Sequence, residues 1–282
     1  MTGTLVLVAT PIGNLGDLSP RAVEELAGAD LVCCEDTRRT GRLLVHAGVA
    51  DARLRRVDDH TERRAVAEVV DLLAAGSRVV LVSDAGTPGI SDPGARLVEA
   101  VLDAGFEVSV VPGPVAAVAA LVASGFATDR FVFEGFLPRK GRERGRRLAE
   151  IATERRTVVV YESPNRIGAT VEALAEVCGA DRRATIAREL TKLHEEFVRG
   201  TLAELAEWAA TTPRGEIVLV IEGAPEPDDA TDDEILVALR ARLAEGLSGR
   251  DAADSVAAEL GVGRRRAYQL TLGIPGGVTP PS

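Results

Sequence analysis

The sequence contains few aromatic residues, and this shortage limits how its core can be built. Phe, Trp and Tyr make up only 3% of the 282 residues, whereas hydrophobic residues as a whole make up 46%. The core must therefore consist of Val, Leu, Ala and Ile, which is typical of buried parallel strands packed by helices. At roughly 100–200 residues per domain, this length allows two domains.

Cysteine and histidine are also scarce. Cys33 and Cys34 are adjacent within an apolar run, and Cys178 lies far along the chain. This spacing fits neither a zinc site nor a disulfide framework, so we interpret all three as buried thiols. The histidines do not cluster in sequence: His46, His60 and His194. No metal is therefore expected.

Long apolar runs and a basic leader are absent. No apolar stretch approaches the roughly 20 residues that a membrane helix needs, so no membrane contact is expected. The first residues, MTGTLVLVATPIGN, have no basic region and only a short apolar stretch, so we predict no signal peptide and a cytoplasmic protein. The net charge of −10 argues against an overall basic surface, but it leaves room for a local basic patch.

Apolar runs alternate with helical patterns in the first part of the chain. The predicted strands are residues 5–9, 31–34, 53–57, 78–82 and 107–111. The predicted helices are residues 20–29, 39–47, 63–75, 94–104 and 114–123. This alternation predicts a mostly parallel sheet that is covered by helices. Ser19, just before Pro20, is the expected N-cap of the first helix.

A second set of elements follows a break near residues 124–129. Its predicted strands are residues 130–134, 157–161, 184–188, 196–199 and 216–222. Its predicted helices are residues 141–153, 166–177 and 203–210. We therefore expect two α/β lobes, at residues 1–124 and 125–224.

The last part of the chain has a different composition. Residues 223–233, GAPEPDDATDD, are typical of a linker. Three short helical patterns follow at residues 232–244, 249–260 and 263–272, and we define them as a C-terminal domain at residues 232–274. They fit either a helix-turn-helix or a small bundle that only packs. The tail, residues 273–282, is expected to be disordered.

Loops rich in glycine and proline follow the predicted strands, at the positions where open α/β sheets bind ligands. In LVSDAGTPGISDPG, residues 81–94, Gly86 and Gly89 allow the backbone to approach a ligand closely. Asp84, at the strand end, suits a hydroxyl or a positive group. The loop matches neither the dinucleotide fingerprint nor the P-loop, and without a lysine it disfavours a triphosphate.

Two further loops leave two interpretations open. Residues 8–22, VATPIGNLGDLSPRA, either contact a ligand or only connect a strand to a helix. Residues 110–120, VVPGPVAAVAA, place a helix N-terminus where an anionic group would be favourable, but their small side chains also suit tight helix–sheet packing.

Charged side chains follow the strands of the second lobe. They are Glu162, Arg166, Arg188, Glu189 and Lys192. Each could be a solvated surface charge, but together, at the ends of neighbouring strands, they favour a site.

A basic segment interrupts this acidic chain. Residues 138–156 contain eight basic and three acidic side chains, a local net charge of +5. Such a patch suggests a phosphate backbone as partner, and ordinary solvated helix charges are the alternative.

Taken together, the motifs are similar to those of a known family. They are ATPIGNLGDLSPRA, CCEDTRRTGRLL, LVSDAGTPGISDPG, VPGPVAAV, FEGFLPRK, YESPNR, ARELTKLHEEF and RGEIVLVIEG, in this order. Over about residues 4–224 the chain resembles the ribosomal RNA small subunit methyltransferase I family of the tetrapyrrole methylase superfamily. The C-terminal segment also resembles the helix-turn-helix appendage of that family.

The resemblance implies a fold and an activity. The fold is a two-lobed α/β, tetrapyrrole methylase-like fold with a cofactor in the cleft between the lobes. The activity is transfer of a methyl group from S-adenosyl-L-methionine to the ribose 2′-oxygen of a cytidine in the decoding region of 16S rRNA, within the 30S ribosomal subunit. The resemblance also implies a homodimer.

The resemblance further assigns residues to the cofactor. The expected contacts are Pro11, Asp84, Ala85, Gly86, Thr87, Ile90, Val115, Ala116, Glu162 and Leu190. The more usual Gly-Asp-Pro of the superfamily appears here as Gly86-Thr87-Pro88, so a hydroxyl replaces a carboxylate.

A ribose hydroxyl is a poor nucleophile, so a general base should assist the transfer. The candidates are Asp84, Glu189 and Lys192, the last only if burial lowers its pKa. Asp36 and Arg38 are the candidates for positioning the target nucleotide. The remaining expected RNA contacts are Arg139, Lys140, Arg142, Arg144, Arg146, Arg147 and Arg166.

Two other functions remain open from the sequence. One is methylation of a tetrapyrrole such as a precorrin or uroporphyrinogen, against which the basic helix and the C-terminal helices argue. The other is a non-enzymatic nucleic-acid-binding regulator, against which the loops assigned to the cofactor argue.

Overall fold

The computed structural model describes residues 3–58, 61–211, 214–225 and 230–274. The chain divides into two compact units, Met1–Ala224 and Pro225–Ser282. The first unit contains two five-stranded sheets with their helices. His60 and residues 275–282 of the expected disordered tail lie outside the described residues.

The first sheet is parallel throughout, as the alternating pattern predicted. Its strands are β1 Thr4–Val8, β2 Leu31–Cys34, β3 Leu54–Arg56, β4 Arg78–Val82 and β5 Glu107–Val111. They are ordered β3-β2-β4-β1-β5. All of their carboxyl ends therefore meet at one edge, which positions the loops that follow them.

Helices cover both faces of this sheet, because successive side chains of each strand point to opposite faces. The helices are α1 Pro20–Ala27, α2 Thr37–His46, α3 Glu62–Ala74 and α4 Ala95–Asp103. Leu5 of β1 packs among side chains of α3 and α4. Val6, one residue later, packs among side chains of α1 and α2.

The capping residues set the ends of these helices. The Ser19 hydroxyl accepts a hydrogen bond from the Ala22 N–H at 3.1 Å, so the predicted N-cap of α1 is confirmed. Helix α2 begins two residues earlier than the predicted residue 39, because the Asp36 carboxylate caps it by accepting from the Arg38 N–H at 2.8 Å.

The second sheet is mixed. Its strands are β6 Phe131–Phe136, β7 Thr157–Glu162, β8 Arg183–Arg188, β9 Glu196–Thr201 and β10 Ile217–Ile221. They are ordered β6-β7-β10-β8-β9, with β6 and β7 parallel and the other pairs antiparallel. Helices α6 Arg142–Thr153, α7 Ile167–Cys178 and α8 Leu202–Ala209 cover one face.

Helix α5, Ala116–Ser124, covers the other face of the second sheet. Ala117, Ala120 and Leu121 of this helix pack against Val159 of β7 and Val218 of β10. The helix follows β5 of the first sheet in the chain, yet its core contacts lie in the second lobe. It therefore ties the two lobes together beside the strand ends.

The C-terminal unit consists of α9 Asp232–Ala244, α10 Gly249–Leu260 and α11 Arg264–Thr271 within the described residues. Thr231 and Glu234 form a reciprocal capping box at the start of α9. Ile235, Leu239 and Val256 form the centre of a small core. Helix α10 ends at Gly261, as predicted, and a short turn leads to α11.

The interpretation of the cysteines as buried thiols is confirmed for Cys33 and Cys34 and holds only in part for Cys178. Cys33 and Cys34 are buried, Cys178 is half-buried, and none forms a disulfide. Burial raises the pKa of Cys33 to about 12, with the neighbouring Cys34 adding to the shift. These thiols are therefore protonated and unreactive at neutral pH. In the part of the chain that the structure describes, no helix is both long and apolar enough to cross a membrane.

Candidate active site

A cavity of about 310 Å³ opens between the carboxyl ends of the first sheet and the second lobe. Its size falls in the range of pockets that hold small molecules. It is lined by Ile12, Ala85, Gly86, Thr87, Ile90, Ser91, Asp92, Val115, Ala116, Phe136, Tyr161, Glu162, Ser163, Pro164, Leu190, Gly215, Glu216, Ile217 and Val218. We call it the cofactor cavity, after the contacts that the sequence assigned to this region.

Most of the residues expected to contact the cofactor meet in this cavity. They are Ala85, Gly86, Thr87, Ile90, Val115, Ala116, Glu162 and Leu190. Pro11 and Asp84 line a neighbouring cavity instead. Phe136 and Tyr161, whose ring centroids lie 5.6 Å apart, were not expected from the sequence. Because the chain has so few aromatic residues, two that lie near the ends of predicted strands could have been singled out from the sequence as site candidates.

The loop after β4 is held by a two-way backbone contact with the turn after β1. The Thr10 N–H donates to the Gly86 carbonyl at 2.9 Å, and the Gly86 N–H donates to the Thr10 carbonyl at 3.0 Å. Gly86 has a φ of +86°, and a Cβ there would lie 3.3 Å from the Pro114 carbonyl. The position therefore requires glycine both for its conformation and for its space.

Thr87 has a structural contact of its own. Its hydroxyl donates a hydrogen bond to the Pro114 carbonyl at 3.2 Å. This bond joins the loop after β4 to the loop after β5, on one wall of the cofactor cavity. A carboxylate at this position could not donate that bond when ionised, so the threonine provides a contact that aspartate would lack.

The N-terminus of α5 is partly satisfied within the protein. The Tyr161 hydroxyl accepts a hydrogen bond from the Ala117 N–H at 3.1 Å. Burial raises the pKa of Tyr161, so the phenol is neutral. Val115, in the N-cap position, offers no capping side chain, so other N–H groups of this first turn depend on a different partner.

Glu162, at the end of β7, is buried and fully engaged with its own lobe. Its carboxylate accepts hydrogen bonds from the Ser163 N–H at 2.8 Å and the Thr170 hydroxyl at 2.7 Å. Arg166 lies 3.3 Å from the same carboxylate and donates to the Leu137 carbonyl at 2.8 Å. Glu162 therefore shapes the cavity wall with its charge already balanced.

The loop after β8 forms the opposite wall through an ion-pair network. The Lys192 ammonium lies 2.8 Å from a carboxylate oxygen of Glu189 and 2.8 Å from one of Glu216. The Glu216 N–H also donates to Glu189 at 2.9 Å. This loop contains two residues with positive φ, Glu189 at 51° and Thr191 at 65°. The network holds the strained backbone that presents Leu190 to the cavity.

The same network sets the protonation of two expected catalytic residues. The hydrogen bond from Lys192 lowers the pKa of Glu189 below its usual value. Burial by itself lowers the pKa of Lys192, but its hydrogen bonds to Glu189 and Glu216 outweigh burial and raise that pKa. The condition under which Lys192 could serve as a base is not met, and Glu189 is a weakened base.

Gly13 brings the turn after β1 against this loop. A Cβ at Gly13 would lie 2.5 Å from Cγ of Lys192, 2.7 Å from Oγ1 of Thr191 and 2.9 Å from the Leu190 carbonyl oxygen. Only glycine allows this approach. The first lobe thereby contacts the loop that forms the far wall of the cavity in the second lobe.

A second cavity of about 420 Å³ adjoins the first, and we call it the outer cavity. It is lined by Thr10, Pro11, Leu15, Arg39, Thr40, Arg42, Leu43, Ser83 and Asp84. One Asp84 carboxylate oxygen accepts from the Asp36 N–H at 3.1 Å, and the other lies 3.5 Å from the Arg39 guanidinium. Asp84 thus stands at the boundary of the two cavities.

Asp92 is a site residue that was not expected from the sequence, where Asp92-Pro93-Gly94 marked only the start of a helix. The Asp92 carboxyl lines the cofactor cavity. Burial raises the pKa of Asp92 to about 6, and the negative charges of Glu35 and Asp84 add to the shift against a hydrogen bond from Ser83. A carboxyl that titrates near neutrality is suited to proton transfer.

The expected RNA contacts separate into an exposed group and a group held inside the lobe, and exposed Arg146 also lies 3.9 Å from the Glu150 carboxylate. Arg139, Lys140, Arg142 and Arg146 are exposed along the start of α6 and the loop before it. Arg144 instead donates to the Pro138 carbonyl at 3.1 Å, and Arg147 pairs with Glu134 at 3.2 Å.

Three of the expected RNA contacts have partners within their own lobe, and their part in RNA binding stays a prediction: Arg144, Arg147 and Arg166. Each guanidinium is held by carbonyl or carboxylate oxygens of its own lobe, which removes it from the free basic surface. The remaining exposed cations form a shorter basic strip, which we define as Arg139, Lys140, Arg142 and Arg146.

Asp36 precedes α2 and Arg38 lies in its first turn, and the two residues have different contacts. The Asp36 carboxylate caps the helix, and the hydrogen bond from the Arg38 N–H lowers the pKa of Asp36. Arg38 is exposed and lines a shallow depression on the surface of the helix. Arg39 and Arg42, which were not among the residues expected from sequence, line this depression and also the outer cavity.

No group of three or more potential metal ligands comes together among the residues that the structure describes.

Comparison with known proteins identifies the family. Residues 4–206 match the family of tetrapyrrole (corrin/porphyrin) methylases. A ribosomal RNA small subunit methyltransferase I from Synechocystis sp. is 48% identical, over 96% of this chain and 98% of its own length. The chain belongs to this methyltransferase family. A relative of the same name from Mycobacterium bovis is 45% identical, over 96% of this chain and 95% of its own.

Solved structures of other methyltransferases have the same fold as this chain. The methyltransferase CobJ superimposes with a TM-score of 0.57 at 23% identity, covering 79% of this chain and 93% of its own. The uroporphyrin-III C-methyltransferase from Thermus thermophilus in complex with S-adenyl homocysteine superimposes with a TM-score of 0.54 at 20% identity, covering 77% of this chain and 96% of its own. The predicted fold class is thereby confirmed.

Proposed function

We propose that this protein transfers a methyl group from S-adenosyl-L-methionine to the ribose 2′-oxygen of a cytidine in the 16S rRNA of the small ribosomal subunit. The observation that carries the proposal is the match, over 96% of the chain, to relatives named ribosomal RNA small subunit methyltransferase I. The cofactor cavity and the basic strip supply the two binding surfaces that this reaction needs.

The cofactor cavity fits S-adenosyl-L-methionine by size and by chemistry. Phe136 and Leu190 offer apolar surface to a flat ring such as adenine. Backbone groups of the Ala85–Gly86 segment suit the polar ribose and amino acid parts, and the start of α5 suits a carboxylate. Bound there, the cofactor supplies an electrophilic methyl group on a sulfonium.

The residues of this chain contribute alignment and proton removal. The loops after β4 and β5, joined by Thr87, fix one side of the cavity, and alignment of this kind is worth up to about 7–11 kcal/mol of the barrier. As the ribose oxygen forms its bond to the methyl carbon and the carbon–sulfur bond breaks, the hydroxyl proton must leave. We assign that proton to the carboxylate of Asp92, with Asp84 beside it to orient the hydroxyl.

Glu189 and Lys192 take a supporting part in this proposal. Their mutual ion pair and their contacts with Glu216 hold the loop that presents Leu190. This assignment replaces the base role that was considered for them from sequence.

The basic strip supports an RNA substrate over a tetrapyrrole. Its exposed cations lie on the second lobe of a chain with net charge −10, and such a local excess suits the phosphate backbone. Structures of a uroporphyrin-III C-methyltransferase and of a precorrin-6Y methylase are only 22% and 15% identical to this chain, a likeness that reflects the shared fold.

We also propose a homodimer, and α5 supports it. The helix is apolar on all sides, which is typical of a helix buried on all sides. Val118 and Val122, on the side away from the second sheet, remain 45% and 65% exposed. Val110 of the edge strand β5 is also exposed. A second copy that covers these valines would complete the burial of the helix.

The proposal includes three functional segments and a location. Residues 1–124 and 125–224 form the two lobes that enclose the cofactor, and residues 232–274 form the helix-turn-helix-like domain. Helix α5 crosses this division, since it belongs to the first segment and packs on the second. The cytoplasm is the expected location, because ribosomal subunits are assembled there.

The decisive experiment uses labelled S-adenosyl-L-methionine. The purified protein is offered 30S subunits from cells that lack the corresponding enzyme, with naked rRNA and a porphyrinoid in parallel. Label on a ribose 2′-oxygen of a decoding-region cytidine is the expected result. Label on the porphyrinoid alone would overturn the RNA assignment, and cofactor binding without any transfer would favour a regulator.

A further inference from the structure

The cofactor cavity and the outer cavity share one wall. Thr10 lines the outer cavity and is paired through its backbone with Gly86, which lines the cofactor cavity. Pro11 and Ile12 are successive residues that face the outer and the cofactor cavity in turn. The two cavities are therefore neighbours, and they meet where Asp84 of the outer cavity is followed by Ala85 of the cofactor cavity.

Two arginines on one side of α2 line the outer cavity. Arg39 and Arg42 are three residues apart, so their side chains lie on the same face of the helix. The Arg39 guanidinium reaches Asp84 at 3.5 Å and is otherwise exposed. Within the described part of the chain, no hydrogen bond or ion pair holds Arg42. Its five donors are thus available to an anion.

Part of the outer cavity's lining is apolar. Pro11, Leu15 and Leu43 contribute to its lining, and Leu15 is 47% exposed although it is a large hydrophobic residue. A ligand that fits both parts of the lining would carry an anionic group and a flat apolar face, as a nucleotide does. A mononucleotide unit whose base is splayed out of an RNA strand presents both at once.

We propose that the outer cavity receives the target nucleotide of the RNA, with its phosphate at Arg39 and Arg42, its base against Leu15 and Leu43, and its ribose at Asp84. The inference rests on the proposed function and adds where the substrate lies. It makes α2 the element that selects the nucleotide position, while the basic strip on α6 holds more distant RNA backbone.

The test compares Arg42→Gln with Arg42→Lys and with Arg130→Gln. Arg42 is the cleaner probe, because Arg39 also contacts Asp84. Arg130 is an exposed arginine just before β6, at the end of that strand opposite to the cavities, so it controls for the loss of one positive charge. The measurements are the affinity for S-adenosyl-L-methionine, the KM and kcat with 30S subunits, and the salt dependence of subunit binding.

Arg42→Gln should raise the KM for subunits by roughly tenfold, as expected for one lost charge-assisted hydrogen bond. The slope of log affinity against log salt should fall by about one, and the cofactor affinity should stay unchanged. Arg42→Lys should have the salt slope of the wild type, because the positive charge is kept. Its KM should lie between those of the wild type and Arg42→Gln, because an ammonium cannot form a bidentate contact with phosphate. Arg130→Gln should behave as the wild type.

Two results would overturn the inference while leaving the proposed function intact. In the first, the wild-type enzyme methylates the ribose, and the Arg42→Gln variant has the same KM for subunits and the same salt slope as the wild type. The other is an Arg42→Gln variant whose cofactor affinity falls together with its subunit affinity, which would place Arg42 in support of the cofactor cavity. A wild-type enzyme that does not label the rRNA ribose would instead refute the proposed function itself.

Discussion

The hydroxyl of Thr87 donates a hydrogen bond to the backbone carbonyl of Pro114 across 3.2 Å. The two residues lie in loops that follow different strands, and both loops line the cofactor cavity. The bond therefore fixes the distance between two walls of the site before any ligand is bound. Such preorganisation lowers the cost of ordering the loops on binding.

Replacing Thr87 should weaken cofactor binding without unfolding the protein. Thr87→Val keeps the shape but loses a bond worth about 1 kcal/mol, so the Kd for S-adenosyl-L-methionine should rise roughly fivefold. Thr87→Ser keeps the hydroxyl and should bind nearly as the wild type does. Calorimetric titration measures both, and equal affinities in Thr87→Val and wild type would contradict a role for this bond.

Gly13→Ala should destabilise the protein, because the added Cβ would lie 2.9 Å from the fixed Leu190 carbonyl oxygen as well as close to two side chains. Forced overpacking of this kind costs about 1–3 kcal/mol. Thermal unfolding should show a Tm lowered by several degrees.

Gly145→Ala is the matched control for this substitution. Gly145 lies inside α6, and a methyl group added there would have nothing within 4 Å of it. Alanine there should leave stability unchanged or raise it by up to about 1 kcal/mol, since glycine is a poor helix former. A Gly13→Ala variant as stable as Gly145→Ala would refute the close contact between the lobes.

The pH dependence of the reaction should report on Asp92. With a pKa raised to about 6, Asp92 is a carboxylate above that pH, so kcat should rise as the pH passes about 6 and then level off. Asp92→Asn should lower kcat by roughly 10²–10⁴-fold and remove this dependence. A variant that turns over as fast as the wild type would exclude Asp92 as the base.

Asp92 should also affect stability with a definite sign. Its pKa in the folded protein lies above the ordinary value of 3.8, so the folded state disfavours the carboxylate. The resulting cost is absent below pH 3.8, develops as the pH rises towards about 6, and is constant above. Asp92→Asn should therefore be more stable than the wild type at neutral pH, and this advantage should vanish in acid.

Lys192→Met separates support of the site from base catalysis. The substitution leaves the carboxylates of Glu189 and Glu216 without their shared cation, so the loop that presents Leu190 should loosen. The KM for S-adenosyl-L-methionine should rise while kcat changes little, and Lys192→Arg should restore most of the affinity. If turnover instead fell by roughly a hundredfold or more while KM stayed unchanged, Lys192 would be a base.

The basic strip should determine the salt dependence of subunit binding. Replacing Arg139, Lys140 and Arg142 together by glutamine should reduce the slope of log affinity against log salt by about two to three. The cofactor affinity should not change, because none of the three lines the cofactor cavity. An unchanged slope would show that these cations are only solvated surface charges.

Much of this architecture follows from local sequence patterns. The Ser19-Pro20 pair starts α1, and the alternation of apolar runs with helical patterns predicts the parallel first sheet. The loop motifs identify the family. They also assign ten residues to the cofactor, and eight of these line one cavity. These features depend on neighbours within a few residues or on motif order, which a sequence displays directly.

Other features depend on contacts between distant parts of the chain, and only the tertiary structure decides them. Whether an arginine is free or engaged depends on which carbonyl or carboxylate folds against it, so Arg166 and Arg144 could not be told apart from Arg142 by composition. The pKa of Lys192 is raised because two carboxylates meet it in space. Asp92 titrates near neutrality because burial and neighbouring charges disfavour its ionised form. Local propensity and periodicity suffice to place the elements in their order, and the resemblance of the motifs identifies the family. The roles of individual charged groups were decided by tertiary structure, because electrostatic interactions depend on distance in space and on burial.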